Sequence, residues 1–195
     1  RNMTIKTFNI NTDKTAFVRA YLPDSIAGLP FCEKRPAVLI FPGGGYEYCS
    51  DREGEPIALQ YLALGYAAFV VTYSCNERFP EPLMDAAYIF YKIRMRAEEF
   101  KIDPQKMAVL GCSAGGHLAG CLATMWSDIA LTKTIGCEPE DLRPNAAILC
   151  YPVISGVTAP HEGSFKVLLG EDASRSDLSR LSLENRVTPK TPPVF

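Results

Sequence analysis

Met107-Ala108-Val109-Leu110-Gly111-Cys112-Ser113-Ala114-Gly115-Gly116-His117 is the stretch that decides the fold. An apolar run enters Gly-x-Ser-x-Gly, and a segment rich in small residues (Ala119, Gly120, Ala123) follows it. A buried strand, a turn too tight for side chains at its flanks, and a helix close behind make the sequence form of a nucleophile elbow. Such a turn lifts a serine hydroxyl clear of the sheet and aims it at the helix N-terminus. Ser113 is therefore the candidate nucleophile. It needs a base, and the chain holds two histidines, His117 and His161.

Working outward, strand-like and helix-like segments alternate, which predicts an α/β domain with a mostly parallel sheet. Thr4 to Ile10 and Ala16 to Leu22 alternate polar and apolar residues around Asn11-Thr12-Asp13-Lys14, an opening hairpin. Pro36 to Phe41 and Tyr66 to Thr72 are continuous apolar runs, as in strands buried on both faces. Helices are expected over Pro56 to Leu64, Leu83 to Phe100, Gly115 to Met125 and, more briefly, Ser164 to Leu169. Ser50 and Glu53 also have capping-box spacing, which offers an earlier start to the first helix. Ile102 to Gln105 reads as a turn, and Asn145 to Tyr151 as a further strand. Thr191-Pro192-Pro193-Val194-Phe195 reads as the first residues of another.

The chain has 195 residues, a single domain's worth, and a formal net charge of −2. That charge supplies no electrostatic reason to expect nucleic acid or an anionic membrane as a partner. No apolar run approaches a membrane span, and no basic-then-apolar leader opens the sequence. Cysteines stand at 32, 49, 75, 112, 121, 137 and 150, without a Cys-x-x-Cys spacing. An odd count, mostly inside apolar runs, predicts free thiols and a reducing, cytoplasmic setting.

Two phosphate-binding readings fail on named residues. Gly111 and Gly116 have Walker spacing, but His117 and Leu118 follow where lysine and serine or threonine are needed. Gly43 and Gly45 begin a dinucleotide pattern, but Tyr48 occupies its last glycine position. The loop Pro42-Gly43-Gly44-Gly45-Tyr46 instead follows a strand at the place where acyl-transfer enzymes build one side of an oxyanion hole. Backbone N–H groups there stabilise a developing negative oxygen without having to reorganise. The candidate donors are the amides of Gly44, Gly45 and Ala114. Tyr46 and Tyr48 either line the pocket or pack on the sheet edge. Asp51-Arg52-Glu53 either contact substrate or cap a helix.

Neither histidine reads well as the base. Ser113 precedes the helix, so His117 faces away from it, and Pro160-His161-Glu162-Gly163-Ser164 reads as a helix entry. Asp128, Asp141, Glu171 and Asp172 read as solvated loop charges. Cys112 and Trp126 read as packing residues.

The glycine loop, Ser50 to Pro56, Gly65-Tyr66-Ala67-Ala68 and Gly111 to Ala119 together resemble the α/β-hydrolase esterases. The branch they resemble is that of the bacterial acetyl esterases and acetylxylan-esterase-like enzymes. Asp103-Pro104, Tyr151 to Ser155, His161 to Ser164 and Thr191 to Phe195 extend the likeness over nearly the whole chain. The resemblance implies a serine carboxylesterase acting on short acyl groups, such as acetyl on a sugar or xylo-oligosaccharide, with no cofactor or metal. It also implies that neither His117 nor His161 is the catalytic histidine, and that acid and base follow strands beyond Phe195. Pro42 stands where relatives carry histidine, a position that leaves the amide donors untouched. On this reading the chain lacks the last strands of the domain and is close to inactive by itself. Asn145 to Tyr151 would then present an open sheet edge through which copies associate. A prolyl-oligopeptidase-like peptidase and a non-catalytic binding module of the same fold are the alternatives.

Overall fold

The computed structural model describes residues 3–9, 16–24 and 34–195. Its strands are β1 (Met3–Asn9), β2 (Phe17–Pro23), β3 (Arg35–Phe41), β4 (Ala67–Thr72), β5 (Ile102–Cys112) and β6 (Ala146–Cys150). They form one sheet in the order β1-β2-β4-β3-β5-β6. β1 and β2 pair as the expected antiparallel hairpin, from Met3 opposite Pro23 to Asn9 opposite Phe17, while its turn residues Asn11 to Lys14 lie outside the described residues. β2 is antiparallel to β4, and β4, β3, β5 and β6 are mutually parallel.

Parallel neighbours need crossovers, and helices supply them. α1 (Glu55–Ala63) joins β3 to β4, and α2 (Glu81–Met95) with α3 (Ala97–Phe100) joins β4 to β5. α4 (Ala114–Met125), α5 (Ile129–Ile135) and α6 (Pro139–Leu142) lead to β6, after which come α7 (Glu162–Leu169) and α8 (Arg175–Arg180). The alternation within β3 shows why its sequence is apolar throughout. Val38 and Ile40 join Ala58 of α1 in one cluster, while Ala37, Leu39 and Phe41 face Phe90 of α2 and Leu118 of α4 in the other. Full burial of each large side chain contributes on the order of 2 kcal/mol.

Several sequence expectations are corrected. The helix expected over Leu83 to Phe100 breaks at Arg96, whose φ of −101° and ψ of 24° leave the helical range. The apolar spacing persists across the break because both Ala97 and Phe100 are buried. Ile102 to Gln105 belongs to β5, but the pairing jumps from Arg35–Ile102 to Ala37–Met107, so the strand bulges there. Asp103 accepts a hydrogen bond from the Gln105 N–H inside this bulge at 2.9 Å, the local chemistry that had suggested a turn. α5, α6 and α8 were not legible. They are short and partly polar, and their ends are fixed by side chains such as Asp128, which accepts from the Ala130 and Leu131 amides. Asp141 likewise completes a capping box with Glu138.

The open edge expected at β6 is also corrected. Residues 193–195 run parallel beside it: Ala147 N–H donates to the Pro193 carbonyl, Phe195 N–H to the Ala147 carbonyl, and Leu149 N–H to the Phe195 carbonyl, each at 2.9 Å. Over that stretch, association through a bare β6 backbone loses its structural basis. Among the described residues, no helix is long and apolar enough to cross a membrane.

Candidate active site

Ser113 sits between the end of β5 and the start of α4 with φ 53° and ψ −118°, a conformation an L side chain rarely adopts. Three backbone bonds hold it there. Its N–H donates to the Cys150 carbonyl at 3.0 Å, and its own carbonyl accepts from His117 and Val153, each at 3.1 Å. The flanking glycines follow from close approach. A Cβ on Gly111 would lie 2.0 Å from the Gly115 carbonyl oxygen, and one on Gly115 would lie 2.0 Å from that of Phe41. β5 lies beside β3, so the elbow meets the glycine loop that leaves β3.

Within that loop Gly44 has φ +132°, and a Cβ there would fall 2.1 Å from the Tyr48 carbonyl oxygen. The Gly43 N–H is already used, donating to Glu53 Oε2 at 2.7 Å. Among the described residues, none accepts a hydrogen bond from the N–H of Gly44, Gly45 or Ala114. The three amides named from the sequence are among those left without a partner near Ser113. Gly44, Gly45 and Ser113 line a shared depression of about 340 Å³ with Tyr48, Glu53 and His161. A second depression, about 610 Å³, shares Ser113 and His161 with the first and is lined by Tyr151 to Ser155 and Glu184.

Two buried tyrosines brace the loop from beneath. Tyr73 O–H donates to the Pro42 carbonyl at 2.7 Å. Tyr46, with φ 66°, is buried and its hydroxyl lies 2.7 Å from His117 Nδ1. His117 Nε2 lies 2.8 Å from the Leu181 carbonyl. A carbonyl can only accept, so the proton is on Nε2 and Nδ1 accepts from Tyr46. Burial pushes the His117 pKa down to about 4, against a smaller upward pull from the Leu181 carbonyl. His117 is a neutral, fully engaged core residue. Of the two tyrosines weighed from the sequence, Tyr46 is a brace, whereas Tyr48 is exposed and borders the depression.

His161 caps the start of α7, as its helix-entry reading expected, and also lines both depressions beside Ser113. Its Nδ1 caps α7, accepting from the Ser164 N–H at 3.3 Å and lying 2.9 Å from Ser164 Oγ. An amide N–H can only donate, so neutral His161 carries its proton on Nε2. With Nδ1 accepting in this cap, the free Nε2–H is a donor; a base at Nε2 requires the other tautomer, with Nδ1–H donating to Ser164 Oγ.

Glu53 was weighed from the sequence only as a cap or a substrate contact. It lies on a short 3₁₀ helix, Asp51–Glu53, and its side chain makes no cap to Ser50. Oε2 instead takes the Gly43 amide, and Oε1 accepts from Tyr151 O–H at 2.9 Å, so one carboxylate ties the glycine loop to the segment after β6. The capping-box spacing was the only available signal, and it pointed to the wrong partner. Glu53→Ala is expected to lower stability by about 1–3 kcal/mol, because it strands the buried Gly43 N–H. Urea unfolding checks this; Glu53→Gln, which keeps an acceptor oxygen, should recover most of the loss. Equal losses in the two variants would mean that the hydrogen bond is not what matters.

The remaining candidates have structural partners. Glu171 pairs with Lys166 at 3.3 Å, Trp126 is buried beneath Arg143, and burial raises the Cys112 thiol to about 11. Among the described residues, no three His, Cys, Asp or Glu side chains form a group able to hold a metal ion.

A family model described as BD-FAE matches residues 29–195. The chain belongs to the BD-FAE family. It is 36% identical over 169 residues to the Endo-1,4-beta-xylanase B of Butyrivibrio fibrisolvens, covering 83% of this chain and 26% of that protein. To the acetylxylan esterase of Xylanibacter ruminicola it is 31% identical over 198 residues, covering 96% of this chain and 36% of that one. The chain thus spans about a quarter to a third of these curated relatives. The crystal structure of an acetyl ester-xyloside bifunctional hydrolase from Caldicellulosiruptor lactoaceticus matches with a TM-score of 0.81 and 35% identity, over 96% of this chain and 67% of that one. The architecture of this BD-FAE chain is that of the α/β hydrolases.

Proposed function

We propose that this BD-FAE chain carries the nucleophile and the oxyanion-binding amides of a serine carboxylesterase that removes short acyl groups, acetyl on a sugar or xylo-oligosaccharide foremost. The observation that carries the reading is Ser113 held in an unfavourable backbone conformation beside three unpartnered amides. The acetylxylan esterase and acetyl ester-xyloside hydrolase relatives support the acyl class.

In this reading Ser113 Oγ attacks the acyl carbonyl carbon as its proton passes to a general base. The carbonyl oxygen becomes an oxyanion and accepts from the Gly44, Gly45 and Ala114 N–H groups. Collapse breaks the bond to the leaving alcohol, which takes up a proton, and the acyl group remains on Ser113. Water then repeats the sequence and releases the acid. The binding groups are backbone amides, and no step calls for a metal or cofactor.

The base is proposed to come from outside these 195 residues. His117 has both ring nitrogens engaged in the core, and the Nδ1 of His161 is occupied by its helix. The purified chain alone is therefore expected to show on p-nitrophenyl acetate only the residual acceleration its oxyanion-binding amides supply, far below an ordinary esterase rate. An ordinary esterase rate that disappears in both Ser113→Ala and His161→Gln would defeat this assignment and make His161 the base. A fluorophosphonate probe tests the reading itself in the protein that also holds the base. Stoichiometric labelling of Ser113 supports an esterase nucleophile, and no labelling leaves a binding module.

A further inference from the structure

Two thiols meet at the foot of the glycine loop. Cys49 lies on the limb returning from Tyr48 and Cys75 just past β4; 26 residues apart in sequence, their Sγ atoms are 3.7 Å apart. Both lie against the Tyr73 carbonyl, Cys75 Sγ at 3.4 Å and Cys49 Sγ at 4.0 Å. Both are half-buried rather than enclosed, so an edge of the pair is open to a small molecule. We infer that Cys49 and Cys75 form a dithiol that a low-molecular-weight disulfide, such as oxidised glutathione, converts to an intramolecular disulfide. The inference stands independently of the esterase reading.

The two thiols divide the labour. The hydrogen bond between them lowers the pKa of Cys75, and the same bond, followed by burial, raises that of Cys49. Cys75 is therefore the attacking thiolate. It bonds to one sulfur of the small disulfide, whose S–S bond breaks and whose other half leaves as a thiolate that takes a proton from solvent. Cys49 then loses its proton and attacks the Cys75 sulfur of the mixed disulfide, expelling the second small thiol. Two protein thiols are oxidised, and one small disulfide is reduced to two thiols.

The competing thiols are poorer nucleophiles. Burial pushes Cys121 up to about 12 and Cys112 up to about 11. Cys112 and Cys150, directly opposed on β5 and β6, form the rival pair. A 49–75 bond would act on the site's scaffold. Asn76, next to Cys75, already holds the Tyr46 carbonyl through its backbone N–H and the Glu47 carbonyl through its side chain, each at 2.8 Å. The disulfide would add a covalent tie between the same two segments.

The test is to equilibrate the folded chain with oxidised glutathione, quench it in acid, alkylate, digest and map peptides without reduction. The expected result is a 49–75 cross-link, loss of two alkylatable thiols, and their full return with reductant. Cys49→Ser should trap glutathione on Cys75 as a mixed disulfide that cannot resolve, and neither Cys49→Ser nor Cys75→Ser should form an intramolecular bond at this pair. Glutathione retained on Cys75 of the unsubstituted chain would overturn the inference. So would a different pairing (112–150, or one that includes Cys32), or thiols that remain unchanged.

Discussion

Ser113→Ala is expected to lower turnover on an acetyl ester on the order of a millionfold in the protein that holds this stretch together with its base. On the proposed mechanism the serine forms the covalent bond, so no neighbouring group can replace it. A residual acceleration of about a thousandfold to ten-thousandfold over water should remain, because the Gly44, Gly45 and Ala114 amides would still bind the oxyanion. Steady-state kinetics on p-nitrophenyl acetate read both numbers. A variant that keeps even a hundredth of the parent rate would remove Ser113 from the chemistry. The backbone provides a second readout that does not depend on activity. At φ 53° alanine is as strained as serine, so Ser113→Ala should unfold near the parent midpoint. Ser113→Gly, equally inactive, should gain about 1 kcal/mol by releasing the strain. A glycine variant no more stable than the alanine one would mean that the elbow stores no strain.

The second large effect is a loss of stability in acid that originates at His117. Its pKa is near 6.5 when unfolded and about 4 when folded, because burial penalises the charged ring. Between those values the unfolded chain binds more protons than the folded one, so stability rises with pH through this window. The contribution is fully present above pH 6.5 and is lost as pH falls toward 4. The whole interval corresponds to about 3 kcal/mol. Urea midpoints measured across it should fall more steeply for the parent than for His117→Gln, which cannot titrate. Parallel curves would show that His117 does not drive the loss. The consequence reaches the site because Nδ1 holds the Tyr46 hydroxyl, and Tyr46 is the next residue after the three loop glycines. Protonation would turn that acceptor into a donor, so the contact would persist only with its direction reversed and the Tyr46 O–H would lose its acceptor.

The two effects differ in how legible they were. The elbow could be read because its cause is local: an apolar strand, two glycines whose side chains would strike backbone, and a small-residue helix are all contiguous. The glycine loop was legible for the same reason. The bulge in β5 and the break at Arg96 were not, since apolar spacing carries through both and only pairing with β3 or packing against the sheet reveals them.

The partners of the site's side chains were beyond reach for a different reason. Tyr46 and His117 are 71 residues apart, and Tyr151 and Glu53 are 98 apart. They meet only because the sheet places β3, β5 and β6 side by side with their carboxyl ends together. From spacing alone, Glu53 looked like a helix cap, and His161 read as a helix entry with no sign that it also lines the depressions beside Ser113. The sequence by itself determined the backbone devices, the strained serine and the amides left free, because glycine placement and apolar runs act over a few residues. Tertiary structure alone decided which side chains brace them and which histidine nitrogens carry protons. Those facts depend on hydrogen-bond partners brought together from distant parts of the chain.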